Sequence, residues 1–214
     1  MRSKAITALA LVGMWVGFNS NAKAALTFEL GGMLNGVTPT SSAPWLTAQF
    51  NNVEGGVELT LTSQLSVPSE FISAVALNVN VPGLKTADIQ TDTSDPLATW
   101  MVDYSNVDLA GAGSLGSGFD ILISWDSAQG VQRFNGTDVD TFKFTFAGLT
   151  ENDFNAPNAS GVFIAAHVQG IPLPGGGTTS GAITVVPEPT TILAGALLLL
   201  PIGASTIRIL RRNR

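Results

Sequence analysis

The sequence contains no cysteine and a single histidine, His167, among its 214 residues. The absence of cysteine excludes disulfides, thiol catalysis, iron–sulfur clusters and cysteine-based zinc sites. One histidine does not build a multi-histidine metal site, although it would serve as a general base. No nucleophile with an orienting carboxylate is recognisable beside His167 in the sequence, so a hydrogen-bonded strand histidine is the favoured interpretation.

Basic residues are scarce between positions 25 and 186. This segment contains only Lys85, Arg133 and Lys143 against 15 of the 16 carboxylates, which gives it a net charge of −12. Such a surface repels the phosphate backbone, and we predict that the protein does not bind nucleic acid. The acidic surface remains compatible with divalent cations, with basic partners or with simple solubility.

The same segment lacks any amphipathic helix of three turns and reads instead as short strands separated by turns. The clearest alternation is in residues 56–64, where Val57, Leu59 and Leu61 share one face. Nine candidate strands are residues 25–30, 45–50, 56–64, 71–81, 98–104, 119–126, 142–148, 161–168 and 182–186. They predict an all-β fold, an antiparallel β-sandwich of jelly-roll type. One short helical turn is predicted after Thr150.

Strand periodicity also assigns faces to individual side chains. In the strand at 119–126, alternation places Phe119, Ile121, Ile123 and Trp125 on one face. In the strand at 161–168, it places His167 on the same face as Phe163 and Ala165.

Two loops are rich in side-chain oxygens, which are the ligands that calcium prefers. The first contains Asn135, Asp138 and Asp140, and the second contains Asp88, Asp92 and Asp95. Neither loop has the EF-hand spacing. A structural calcium ion held by Asp138 and Asp140 is one hypothesis, and turn formation by Asp and Asn without any ion is the alternative.

Sugar chemistry is a further hypothesis that the composition leaves open. Glycoside hydrolysis needs only two suitably spaced carboxylates, but nothing in the sequence selects a pair. Among the tryptophans, Trp45, which follows Pro44, is the best candidate for an exposed ring that stacks on a ligand, but packing in the core or at an edge is the favoured interpretation. The Asn135 and Asn158 acceptor patterns for N-glycosylation are interpreted as surface turns.

The N-terminus has the layout of a secretory signal peptide. Arg2 and Lys4 precede an apolar run over residues 5–18, and the small-residue pattern Ala22-Lys23-Ala24 follows. Cleavage is expected after Ala24. The apolar run is too short to span a bilayer comfortably, which favours a cleaved signal over a retained helix.

The C-terminus has a second apolar run, over residues 190–207, that contains no charge. As a helix it would be about 27 Å long, which is marginal for crossing a membrane. A basic tail of Arg208, Arg211, Arg212 and Arg214 predicts a cytoplasmic end. The triplet Pro187-Glu188-Pro189 stands directly before the run.

The triplet, the apolar run and the terminal arginines together resemble a PEP-CTERM sorting signal. The segment "AAHVQG" followed by "GGGTTSG" is similar to the end of uncharacterised PEP-CTERM proteins with an AAHVQG…GGGSG signature. The sorting-signal resemblance implies export, processing by a membrane protease of the exosortase type, and a host that makes extracellular polysaccharide. It implies no catalytic residue. A plain membrane anchor needs the same helix and the same arginines, and it stays the alternative.

The sequence therefore predicts three segments: a signal peptide at 1–24, an acidic β-domain at 25–186 and a sorting signal at 187–214. The expected function is that of an exported surface or matrix protein, non-catalytic and without a cofactor. The alternatives are a carbohydrate-binding module that associates with extracellular polysaccharide and a secreted hydrolase that uses an acidic pair.

Overall fold

The structure is a computed structural model, and it describes residues 25–91, 98–128 and 133–186. Several sequence-based predictions concern residues outside this part of the chain. They are the signal cleavage residues Ala22 and Ala24, the second-loop aspartates Asp92 and Asp95, the triplet Pro187, Glu188 and Pro189, and the basic tail Arg208, Arg211, Arg212 and Arg214.

The described residues form one antiparallel sheet of ten strands and contain no α-helix. The strands are β1 (Leu26–Gly36), β2 (Leu46–Val53), β3 (Gly56–Ser63), β4 (Phe71–Leu77), β5 (Ile89–Thr91), β6 (Thr99–Val107), β7 (Phe119–Ser124), β8 (Val139–Phe144), β9 (Ile164–Pro172) and β10 (Thr178–Val185). Their order across the sheet is β5-β8-β3-β2-β1-β10-β9-β4-β7-β6. The first and last strands along the chain are thus neighbours at its centre.

The all-β prediction is confirmed, and each of the nine predicted strands corresponds to an observed one. The tenth, β5, is three residues long, and a run that short has no measurable period. The helical turn predicted after Thr150 is also present, as a 3-10 turn at Glu151–Phe154. Asp153 caps it by accepting hydrogen bonds from the Thr150 amide at 2.8 Å and the Thr150 hydroxyl at 2.9 Å.

The two edges of the sheet approach each other, so the sheet is nearly closed. A 3-10 turn at Thr86–Asp88 precedes edge strand β5 and contacts the opposite edge, β6. The Trp100 indole donates to the Thr86 carbonyl at 3.2 Å, and the Val102 amide donates to the Thr86 hydroxyl at 3.0 Å. These bonds partly cover edges that would otherwise be open to pairing with another chain.

The main core lies between the two halves of this curved sheet. It unites buried side chains of β1, β2, β3 and β8 with those of β4, β7 and β9. Aromatic rings fill its middle, with Phe50 on Phe154 at 4.5 Å and Trp125 on Phe134 at 4.6 Å between centroids. Burial of each such ring stabilises the folded state by about 1.5–3 kcal/mol, because it removes apolar surface from water.

A second, smaller apolar cluster lies on the outer face of the sheet. Its cover is a glycine-rich segment, residues 108–118, which we call the strap. Leu109 and Ala112 of the strap are buried together with Phe119, Val162, Ala165 and Ala182. The sheet therefore buries part of both of its faces.

Two side chains lie on a different face of the sheet from the one that periodicity predicted. Ile121, Ile123 and Trp125 lie in the main core as predicted, but Phe119 lies under the strap. The β6–β7 ladder shifts register between Ile121 and Phe119, and a bulge of this kind turns the strand. Phe163, predicted to share a face with His167, instead packs against the main core, because β9 begins only at the next residue.

Candidate functional site

A cleft of about 900 Å³ opens beside the first half of β1. Its described lining consists of Thr27, Phe28, Glu29, Gly31, Ala43, Pro44, Asn155, Phe163, Val185 and Val186. The cleft therefore lies where the last described residue, Val186, leaves the sheet.

The cleft exists because β1 is longer than its contact with β10. Strand β1 pairs with β2 from Leu26 onward, but its pairing with β10 begins only at Leu30, opposite Val185. The Leu30 carbonyl points towards β2, where it accepts from the Trp45 amide at 3.0 Å. Backbone polar groups alternate along a strand, so those of Thr27 and Glu29 point to the side that β10 does not reach.

The lining combines apolar rings with a few polar groups. The rings of Phe28 and Phe163 lie 6.2 Å apart at 30° to each other, and Thr27, Glu29 and Asn155 supply hydroxyl, carboxylate and amide groups. No basic side chain occurs in the described lining. This chemistry suits an uncharged ligand with both an apolar face and hydroxyls, and it disfavours an anionic one. The described lining contains one carboxylate, Glu29, and so does not supply the pair that a glycosidase needs.

Trp45 does not take part in this cleft, and its predicted role as an exposed stacking ring is corrected. Its side chain is 4% exposed and belongs to the main core. The indole N–H donates to the Ser41 carbonyl at 2.6 Å, so both the ring and its polar atom are used internally. The neighbouring Pro44 lines the cleft instead.

Glu70 is a fully buried carboxylate that the sequence did not reveal. It accepts hydrogen bonds from the Thr40 amide at 2.5 Å and from the Ser41 hydroxyl at 2.7 Å. The Ser41 oxygen in turn accepts from the amides of Ser66 and Val67. The carboxylate thus fastens the loop before β2 to the loop before β4, which positions one wall of the cleft. The stretch "VPSEF" resembles any polar turn, so no sequence pattern indicates that Glu70 is buried instead of exposed.

The two aspartates predicted to bind calcium each have a partner within the protein. Asp138 accepts from the Asn135 amide at 3.0 Å and closes a turn, while Asp140 is buried in β8 and accepts from the Trp125 indole. Asp88 of the second loop accepts from the Lys85 amide at 2.8 Å. Among the described residues no three acidic, histidine or cysteine side chains form a group that could hold a metal ion. The hypothesis of a calcium ion held by Asp138 and Asp140 stays a prediction.

His167 lies on the outer face of β9, under the strap, and is 7% exposed. Its Nδ1 lies 3.0 Å from the Ser73 hydroxyl and 3.5 Å from the Gln169 amide nitrogen. Its Nε2 is buried without a hydrogen-bond partner in the described structure. Burial lowers the pKa of His167 from its ordinary 6.5.

The Ser73–His167 pair resembles a nucleophile beside a base, but its surroundings do not fit catalysis. Both side chains are at least nine-tenths buried, so a substrate has no access to the hydroxyl. No described carboxylate contacts the imidazole to orient it. The hydrogen-bonded strand histidine favoured from the sequence is the arrangement observed.

The acceptor pattern at Asn158 is not the simple surface turn that the sequence suggested. Asn158 is 8% exposed. Its amide donates to the carbonyls of Leu115 and Ser117 in the strap at 3.1 and 3.0 Å, and its oxygen accepts from the amides of Ser160 and Val162. The side chain therefore joins the strap to the start of β9 instead of facing solvent.

No family model, no curated protein and no solved structure matches this chain. Within residues 25–91, 98–128 and 133–186, no helix has the length and apolarity needed to span a membrane. The predicted helix at 190–207 lies outside those ranges.

Proposed function

We propose that this protein is an exported surface or matrix component, built as an acidic β-domain and sorted through its PEP-CTERM tail. The observation that supports the proposal most is the central pairing of β1 with β10. Because these strands are antiparallel neighbours, the chain enters and leaves the domain at the same end, at Leu26 and Val185. The predicted signal peptide before β1 and the predicted tail after β10 therefore connect to the same end of the domain.

We also propose that the body is of the β-sandwich, jelly-roll type. The main core draws on both halves of the sheet, which is how the two faces of a sandwich pack. A closed body of this kind holds its shape without disulfides, which suits a secreted chain that has no cysteine.

Replacement of the sorting triplet tests the export proposal. The variant Pro187→Ala/Glu188→Ala/Pro189→Ala should accumulate in the membrane fraction, because the exosortase-type protease no longer processes it, while the parent reaches the surface or medium. Pro174→Ala, in the exposed turn between β9 and β10, is the matched proline control and should behave as the parent. Equal distribution of the triple variant and the parent would overturn the proposal.

Carbohydrate binding in the cleft is a second candidate function. The stacked Phe28 and Phe163 rings and the Asn155 amide are the groups that a sugar with one apolar face would use. The charge of −12 on the body and Glu29 within the cleft favour a neutral polysaccharide over an anionic one.

Polysaccharide retention tests the second candidate. The purified body should be retained on a neutral polysaccharide, and both Phe163→Ala and Asn155→Ala should weaken retention. Phe146→Ala, a half-buried phenylalanine away from the cleft, is the matched control and should leave retention unchanged. The candidate is rejected when no neutral polysaccharide retains the parent, or when Phe146→Ala weakens retention as much as Phe163→Ala.

A further inference from the structure

The strap lies directly over the imidazole of His167. A Cβ placed on Gly111 would be 2.7 Å from the His167 Nε2 and 2.9 Å from its Cδ2, so the backbone of Gly111 is in close contact with the ring. Gly111 has φ of +77°, a conformation that glycine adopts without strain. The strap thus needs glycine here for two independent reasons, and its cover of the imidazole is tight.

While the strap is closed, the imidazole has an acceptor for at most one of its two nitrogens. Nδ1 faces the Ser73 hydroxyl, and the Gln169 amide nitrogen, which only donates, also lies near it. Nε2 has no acceptor in the described structure, and the backbone of Gly111 lies against it. An imidazolium needs an acceptor at both nitrogens, and water supplies the second one only when the strap moves away.

Few charged groups face this site from the elements around it. Within β4, β9 and β10, His167 is the one titratable side chain. The carboxylates of the neighbouring elements are each engaged or located elsewhere. Asp108, at the start of the strap, is exposed, and Glu29 of β1 lines the cleft. Glu70, before β4, accepts from the 40–41 loop, and Asp120 of β7 accepts from the amides of Val79 and Ser105. No described carboxylate therefore compensates a charge on His167.

Few hydrogen bonds join the strap to the rest of the described domain. Asn35 donates to the Gly111 carbonyl at 3.2 Å, and Asn158 donates to two further strap carbonyls. The bond from the Leu109 amide to the Gly116 carbonyl at 2.7 Å lies within the strap itself. By contrast, β9 below it is paired along both edges, with β4 and with β10. A segment with few backbone bonds opens at lower free energy than a central strand.

We propose that the strap is an acid-sensitive cover, which stays closed while His167 is neutral and opens when His167 takes up a proton. Opening exposes the outer apolar cluster and the Ser73–His167 pair to solvent.

The direction of the pH effect follows from proton linkage. Burial lowers the pKa of His167 in the closed state below its ordinary 6.5, so the open state binds more protons. The closed state is therefore favoured above pH 6.5 and is progressively lost as the pH falls from 6.5 towards the lowered pKa. In that window the equilibrium constant for strap opening rises by up to about tenfold for each unit by which the pH falls, since opening takes up one proton.

Hydrogen exchange on the full chain between pH 7.5 and pH 4.5 tests the proposal. After correction for intrinsic exchange rates, protection of the Leu109 and Ala112 amides should fall with pH, while amides of β9 keep theirs. In His167→Gln the strap protection should not depend on pH. A pH-independent strap in the parent, or an equal pH dependence in His167→Gln, would overturn the proposal.

Two glycine variants keep the test decisive even when His167→Gln does not fold. Gly111→Ala should lower strap protection already at pH 7.5 and raise the His167 pKa, measured by NMR, towards 6.5. Gly148→Ala is the matched control, because Gly148 has a similar φ of +82° but nothing within 4 Å of an added Cβ. Identical strap protection and identical His167 pKa values in the two glycine variants would contradict the role of the strap as a cover.

Discussion

At the residue scale, part of the acidity of this protein is structural. Glu70, Asp120 and Asp140 are buried, and each accepts hydrogen bonds from amides, a hydroxyl or an indole of the surrounding loops and strands. A buried carboxylate is stable only when such donors replace the water it has lost. These three residues therefore fix loop positions, and the net charge overstates how much acidity is available at the surface.

Substitution of Glu70 should show this structural role. Glu70→Gln replaces one acceptor oxygen with a donor that faces the donors of Thr40 and Ser41, and we expect a loss of about 1–3 kcal/mol in the free energy of unfolding. Urea denaturation measures it. Glu54→Gln, in the exposed turn between β2 and β3, removes the same charge and should change stability by less than about 0.5 kcal/mol. Equal effects of the two substitutions would show that Glu70 acts only through its charge.

At the element scale, the strands can be predicted from the periodicity of the sequence, whereas the strap cannot. In β3, Val57, Leu59 and Leu61 are buried as alternation predicts, because the β2–β3 and β3–β8 ladders are regular. The strap contains mostly glycine, alanine and serine, and its position depends on Asn158 and His167, which are distant in sequence. Long-range side-chain contacts of this kind have no signature in a single sequence.

The same distinction explains why the stacking role of Trp45 was wrong and why the cleft was not predicted. The position of Trp45 after a proline suggested an exposed ring, but burial depends on the loop that Glu70 fastens around Ser41. The cleft itself arises from the offset between β1 and β10, and strand lengths read from sequence do not define where pairing begins.

The contribution of Asn158 to the strap can be measured by a single isosteric change. Asn158→Asp preserves the oxygen that accepts from Ser160 and Val162 but replaces the donor to Leu115 and Ser117 with a second oxygen. We expect a loss of about 1–3 kcal/mol in the free energy of unfolding, because oxygens then face oxygens in a buried site. Asn135→Asp, at the other acceptor pattern, is the control and should be nearly neutral in thermal unfolding. A neutral Asn158→Asp would contradict the assigned hydrogen bonds.

At the scale of the whole molecule, topology connects the fold to the proposed export. The chain begins and ends its sheet on the adjacent central strands β1 and β10, and the cleft lies at the end where it leaves. Under the export proposal, the opposite end of the domain would face the cell exterior or the matrix. The acidic body is repelled by anionic lipid, which favours a domain held away from the membrane.

The intact mass of the mature protein, measured separately for the membrane, surface and medium fractions, tests the export proposal most directly. We predict a surface or medium species that begins after Ala24 and ends close to Pro187, without the apolar run at 190–207 and without the arginine tail. A mature protein that retains residues 190–214 in every fraction would contradict processing and leave a simple membrane anchor. Retention of residues 1–24 would contradict the signal peptide.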